Sequence, residues 1–183
     1  MSTKLYTAIA VILICILIAF FGFSLKEFDK CNTTQPPLPL GLAYGMEKET
    51  VIHLLNDIFV SEHSLIDDDG VLQFSEINKQ DSEEFEIITL MFIKDLLVSA
   101  WFTRRMPENI KTFQDATKKA NLWRIEFDAL MGASGERSFK PFTDETSWVF
   151  SNGEDRSFCI DSSDGIIVVT QKYTCDSAVK ALN

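Results

Sequence analysis

From Leu5 to Leu25 the chain carries no charged side chain for 21 residues, and no other feature limits its fold as strongly. At about 1.5 Å of rise per residue, a helix of that length crosses a hydrocarbon core of roughly 30 Å. Residues 1–25 therefore read as a transmembrane anchor, with the membrane a partner through residues 5–25. A cleaved signal peptide competes with this reading, because Gly22 and Ser24 place small side chains near the end of the run. The apolar stretch nevertheless exceeds the roughly 7–15 residues usual in such a segment. Lys4 on one side and Lys26 and Lys30 on the other nearly cancel the positive-inside bias, so the short leading flank orients the helix, with the N-terminus inside. The expected localisation is the cell membrane, single-pass, with the C-terminal domain extracytoplasmic, periplasmic in a bacterial envelope.

Beyond the anchor the chain is acidic. Its 183 residues include 27 Asp and Glu against 17 Lys and Arg, a net charge of −10. That field repels phosphate backbones and argues against nucleic-acid binding, while leaving cations and basic protein surfaces as partners. Residues 26–45 hold Pro36, Pro37, Pro39, Gly41 and Gly45 and read as a Pro-rich linker of extended, semi-rigid geometry. Residues 46–183 then form one acidic extracytoplasmic domain. In an oxidising compartment two of Cys31, Cys159 and Cys175 should pair. Cys159 and Cys175 are near in sequence, and closing a loop of about 15 residues gives roughly 3 kcal/mol on the chain-entropy estimate. Cys31 is then free or intermolecular.

Periodicity divides the domain into a helical part and a short β part. Val51, Leu54, Leu55, Ile58 and Phe59 recur at helical spacing over 47–59. The run from 82 to 102 is apolar around most of its circumference and reads as a central core helix. Pro107 opens a third helix ending near Gly132, with Ile110, Phe113, Ala116, Ala120, Trp123, Phe127 and Leu130 as its packing stripe. Strand-prone runs at 146–150, 157–161 and 166–170 are separated by Ser151-Asn152-Gly153 and Ser162-Ser163-Asp164-Gly165, both turn signals. The expected fold class is α+β: an N-terminal transmembrane helix, a layer of three helices, then a small C-terminal antiparallel β-meander.

Two segments resemble known families. Leu65 to Glu76 resembles the calcium loop of EF-hand proteins, with Asp67, Asp69, Gly70, Leu72 and Glu76 at the third, fifth, sixth, eighth and twelfth loop positions. The likeness implies Asp67, Asp69 and Glu76 as calcium ligands. Leu65 stands where that family has a carboxylate, and the chain has no second such loop, so a hairpin turned at Asp69-Gly70 accounts for the same residues. The C-terminal SFCIDSSDGIIV is similar in style to the terminal strands of pilins and pseudopilins, which implies a place in an envelope or secretion assembly.

No catalytic constellation stands out. His53 and His63 are the only histidines, and HExxH, CxxC, GxSxG and a phosphate loop are all absent from the sequence. The function expected is therefore a membrane-anchored extracytoplasmic interaction protein with a protein partner, possessing no cofactor unless calcium. The alternative is a calcium-responsive module using the acidic 67–86 segment, and an uncharacterised enzyme comes third.

Overall fold

The structure is a computed structural model that describes residues 12–14, 26–59, 64–78, 84–132 and 135–183. Its elements are α1 (Lys48–Ile58), β1 (Ser64–Asp68), β2 (Val71–Ser75), β3 (Phe85–Ile93), β4 (Leu96–Arg104), α2 (Phe113–Met131), β5 (Glu136–Lys140), β6 (Thr143–Val149), β7 (Glu154–Asp161), β8 (Val168–Cys175) and α3 (Asp176–Leu182). All eight strands join one sheet in the order β1-β2-β3-β4-β8-β7-β6-β5, and every neighbouring pair is antiparallel. Each half is thus a helix followed by a four-stranded meander, and the two meanders meet at β4 and β8.

This overturns the expected three-helix layer with a small meander. The segment read as a central helix, 82–102, is the β3–β4 hairpin. Ile88, Leu90 and Phe92 are buried while Ile87, Thr89 and Met91 are not, which is the period-two alternation of a strand. Apolar residues on both faces hid that alternation. The hairpin turns at Lys94 and Asp95, both at positive φ (51° and 62°), as a two-residue turn matched to strand twist requires. The expected helix at 47–59 is α1. The helix at 107–132 starts later than expected, where Thr112 accepts a hydrogen bond from the Asp115 amide, and ends at left-handed Gly132.

Both long helices cover one face of the sheet. The ladder places Phe74, Ile88, Phe102, Gln171, Phe158 and Thr146 in one cross-strand row. Phe59, at the end of α1, meets Phe74 with ring centroids 6.0 Å apart. Phe127 of α2 meets Phe158 at 5.5 Å and Trp148 at 5.2 Å. The α2 residues Ala116, Ala120, Trp123, Phe127 and Met131 are buried. Phe113 and Leu130, assigned to the packing stripe from sequence, are instead 51% and 60% exposed.

Residues 26–45 do not form a spacer. Phe28, Cys31, Leu38, Leu42 and Tyr44 are each at most 6% exposed and belong to the core. The strap is tied to the sheet end by hydrogen bonds from the Gly45 amide to the Leu97 carbonyl and from the Leu97 amide to the Met46 carbonyl.

Among the described residues no helix is long and apolar enough to cross a membrane. The expected anchor, 5–25, lies outside the described residues except for 12–14, which are helical. The single-pass transmembrane localisation is therefore corrected: no spanning helix among the described residues supports it.

The disulfide expectation is corrected as well. Cys31 is bonded to Cys175 with their Cα atoms 5.8 Å apart, and Cys159 is a buried free thiol. On the β7–β8 ladder Cys159 faces Thr170 and Cys175 faces Glu154. Five residues of strand, about 17 Å, separate the two cysteines, and a disulfide spans no more than about 6.8 Å between Cα atoms. Nearness in sequence misled because β8 runs straight through the interval.

Candidate functional site

The carboxylates expected to hold calcium are not brought together. Asp67 lies on β1 and its carboxylate pairs with the Lys48 ammonium. Asp69 and Gly70 form the tip of the β1–β2 hairpin, both at positive φ, and Gly70 sits against the Phe92 carbonyl, where a Cβ would come within 2.9 Å. Glu76 follows Ser75, which pairs with Ser64 at the opposite end of the ladder, about 17 Å of strand from the tip. Among the described residues no group of three or more His, Cys, Asp or Glu is placed to hold a metal ion. His53 is exposed on α1, and His63 lies outside the described residues. The buried Cys159 thiol faces Glu145 and Thr170 across the ladders. Burial pushes its pKa up, with Lys172 opposing and Glu145 adding to the rise, so it is a poor nucleophile.

Under the strap lies a buried polar cluster that sequence reading missed. Arg156 is 2% exposed and Glu154 0%. Arg156 donates from Nε to Glu154 Oε1 at 3.0 Å and from an η nitrogen to Oε2 at 3.2 Å. Tyr44 donates its hydroxyl to the same Oε1 at 2.9 Å, and the Thr34 carbonyl accepts from Arg156 at 3.3 Å. The guanidinium carbon lies 5.2 Å from the Tyr173 ring centre. Burial, followed by the Glu154 charge, drives the Tyr44 hydroxyl far above its ordinary pKa, so it stays a protonated donor. Every charge here is satisfied within the protein, which makes the cluster a structural clasp. The alternation E-D-R-S-F in β7, charged on the inward positions, was its only trace in the sequence.

The surface that is not satisfied internally lies beside α2. There Phe139 and Phe142 of the β5–β6 hairpin are 69% and 68% exposed, with Phe113 of α2 at 51%. The three rings line one groove of about 290 Å³ whose floor includes Ile160 and Ile167, which are 6% and 9% exposed. Phe142 has φ 66°, a conformation that a bulky residue adopts only under constraint. The constraint is visible: its carbonyl accepts from the Ser162 amide at 2.7 Å and from the Ser162 hydroxyl at 3.0 Å. Phe139 is oriented by Arg137, whose guanidinium lies 4.4 Å from the ring centre. Arg137 is itself held by Asp144, with Nε donating to Oδ1 at 2.8 Å. The sequence trace of this site is S-F-K-P-F, two phenylalanines around a proline in polar surroundings.

No protein-family model, curated protein or solved structure matches the chain. The site has to be interpreted from its own chemistry.

Proposed function

We propose that the protein is an interaction protein that seats a protein partner on the groove between α2 and the β5–β6 hairpin. The observation that supports this is Phe142, a bulky side chain kept in a strained backbone conformation by two hydrogen bonds and yet 68% exposed. Strain of that kind costs on the order of 1–3 kcal/mol, and a ring left 68% exposed recovers little of it by burial within this chain. Together with Phe113 and Phe139 it makes an aromatic rim around an apolar floor, the composition of an interface centre. The −10 net charge favours a partner with a basic surface around an apolar anchor residue.

The test is a photo-crosslinking amino acid placed at Phe142 in the producing cell, with the same group at Thr89 on the opposite sheet face as control. The expected outcome is one adduct with a different protein at position 142 and none at 89. In the Phe139→Ser/Phe142→Ser variant, affinity for the partner so identified should fall by about 2 kcal/mol or more. Folding stability should change by less than about 0.5 kcal/mol, as for other exposed substitutions. An adduct only between copies of this chain, or equal labelling at both positions, would refute the reading.

A further inference from the structure

On the other flank of α2 a second recess has a different character. It is a cleft of about 620 Å³ bounded by Arg104, Arg105, Met106, Pro107, Lys119 and Trp123, with Glu84 and Glu108 also lining it. That is the size range of small-molecule sites, about 300–1,000 Å³. Three cations against two carboxylates line it, in a chain whose acidic residues outnumber the basic ones 27 to 17.

The cations differ in how they are matched. Arg104 pairs with Glu84 and lies 4.7 Å from the Trp123 ring centre. Arg105 donates to the backbone carbonyls of Ile77 and Phe85, neutral acceptors that add no counter-charge. Lys119 Nζ lies 5.1 Å from the same Trp123 ring. Neither Arg105 nor Lys119 forms an ion pair among the described residues. Among the described residues the buried Nε–H groups of Arg104 and Arg105 have no acceptor, and a buried donor left unpaired is costly. Met106, Pro107 and Trp123 supply apolar wall beside this positive charge.

We infer that the cleft binds a small organic carboxylate with an apolar body, its head toward Arg105 and Lys119 and its body against Met106, Pro107 and Trp123. A carboxylate supplies a counter-charge that no ion pair among the described residues gives Arg105 or Lys119, and it forms the charge-assisted bonds that a neutral head cannot. The inference uses no residue of the aromatic groove and stands whether or not that groove holds a partner.

Octanoate is the probe, titrated into the full chain by calorimetry, with octanol and octylamine as controls of equal length. Octanoate should bind at least about tenfold more tightly than octanol, and octylamine should give no heat. Lys119→Gln should weaken octanoate about tenfold, and Lys119→Arg should restore it. Arg105→Gln should weaken it similarly, but Arg105 also holds the Ile77 and Phe85 carbonyls, so Lys119 on the helix flank is the deciding position. Tryptophan fluorescence should respond to octanoate in the wild type and in Trp101→Phe but not in Trp123→Phe. Equal affinity for octanoate and octanol, or a Lys119→Gln isotherm superimposable on wild type, would overturn the assignment.

Discussion

Ile88 and Arg156 occupy matching places in the two halves of the sheet. Ile88 faces Phe102 on β4 as Arg156 faces Tyr173 on β8, and Phe74 faces Ile88 as Trp148 faces Arg156. The correspondence continues along the ladders, with Leu72, Leu90 and Ala100 in the first half where Thr146, Phe158 and Gln171 stand in the second. On β2, β3 and β4 the first half therefore presents an apolar inner surface to α1, held mainly by buried area, and its charged contact, Asp67 with Lys48, lies out on the edge strand β1. The second half places a fully buried charge at its centre and needs directional partners from outside the sheet, Tyr44 and Thr34 of the strap among them. One path of the chain thus supports two kinds of core. The polar core makes the second half dependent on residues more than a hundred positions earlier in sequence.

The strongest test of that contrast removes the anion. Glu154→Gln keeps the shape but leaves Arg156 buried without its counter-charge, which should cost about 3–5 kcal/mol. Ile88→Val at the matching apolar place should cost about 0.5–1.5 kcal/mol. Urea unfolding of both variants makes the comparison. If Glu154→Gln proves no worse than Ile88→Val, the two cores are equivalent and the clasp is incidental.

Next in size is the covalent tie. Cys31 and Cys175 are 144 positions apart, so the bond closes a long loop, and Cys31→Ser/Cys175→Ser should lose about 2–4 kcal/mol. The loss should be uneven. Cys175 faces Glu154, so freeing the strap loosens the polar core, and amide exchange should accelerate in β7 and β8 well before β2 and β3. Uniform acceleration across the sheet would show that the strap stabilises the whole domain rather than its second half.

The same contrast explains what could be read from sequence. α1, the Asp69-Gly70 turn and the end of α2 at Gly132 were legible because each has a local cause: helical spacing, positive φ, a left-handed cap. The three strand-prone runs near the C-terminus lie within or overlap β6, β7 and β8. The β3–β4 hairpin was not legible, since Ile87, Met91 and Trp101 on the uncovered face are nearly as apolar as Ile88, Leu90 and Phe102 beneath the helices, and that erases the period of two. Lys94 and Asp95, inside the run that reads as a helix, form the turn. The clasp and the Cys31–Cys175 bond were hidden for another reason. They join residues whose closeness is created by the whole sheet, and no spacing along the chain records it. The aromatic groove falls between these cases: its phenylalanines stand in the sequence, but their meeting in one groove depends on the β5–β6 hairpin lying beside α2.

The smallest expected effect concerns Asp155, the second-half counterpart of Ile87: Asp155 faces Thr174 as Ile87 faces Thr103. Its carboxyl is pushed above the usual range, first by partial burial and then by repulsion from Asp176 and Glu154, with Lys180 opposing. The folded pKa thus exceeds the unfolded value of about 3.9. Between the two values the native state binds more protons than the unfolded chain, so Asp155 lowers stability progressively as pH rises through that window, and the penalty is constant above it. Asp155→Asn removes the penalty. Because the group is partly exposed and solvent screens its neighbours, the gain near pH 7 should be no more than about 0.5 kcal/mol. It should vanish as pH falls below about 4, where the aspartic acid is protonated in both states. Thermal unfolding of wild type and variant across that range is the measurement. A gain that persists at low pH would assign the effect to packing instead of charge, and a loss at pH 7 would mean that Lys180 outweighs Asp176 at this position, making Asp155 a stabilising part of the polar half.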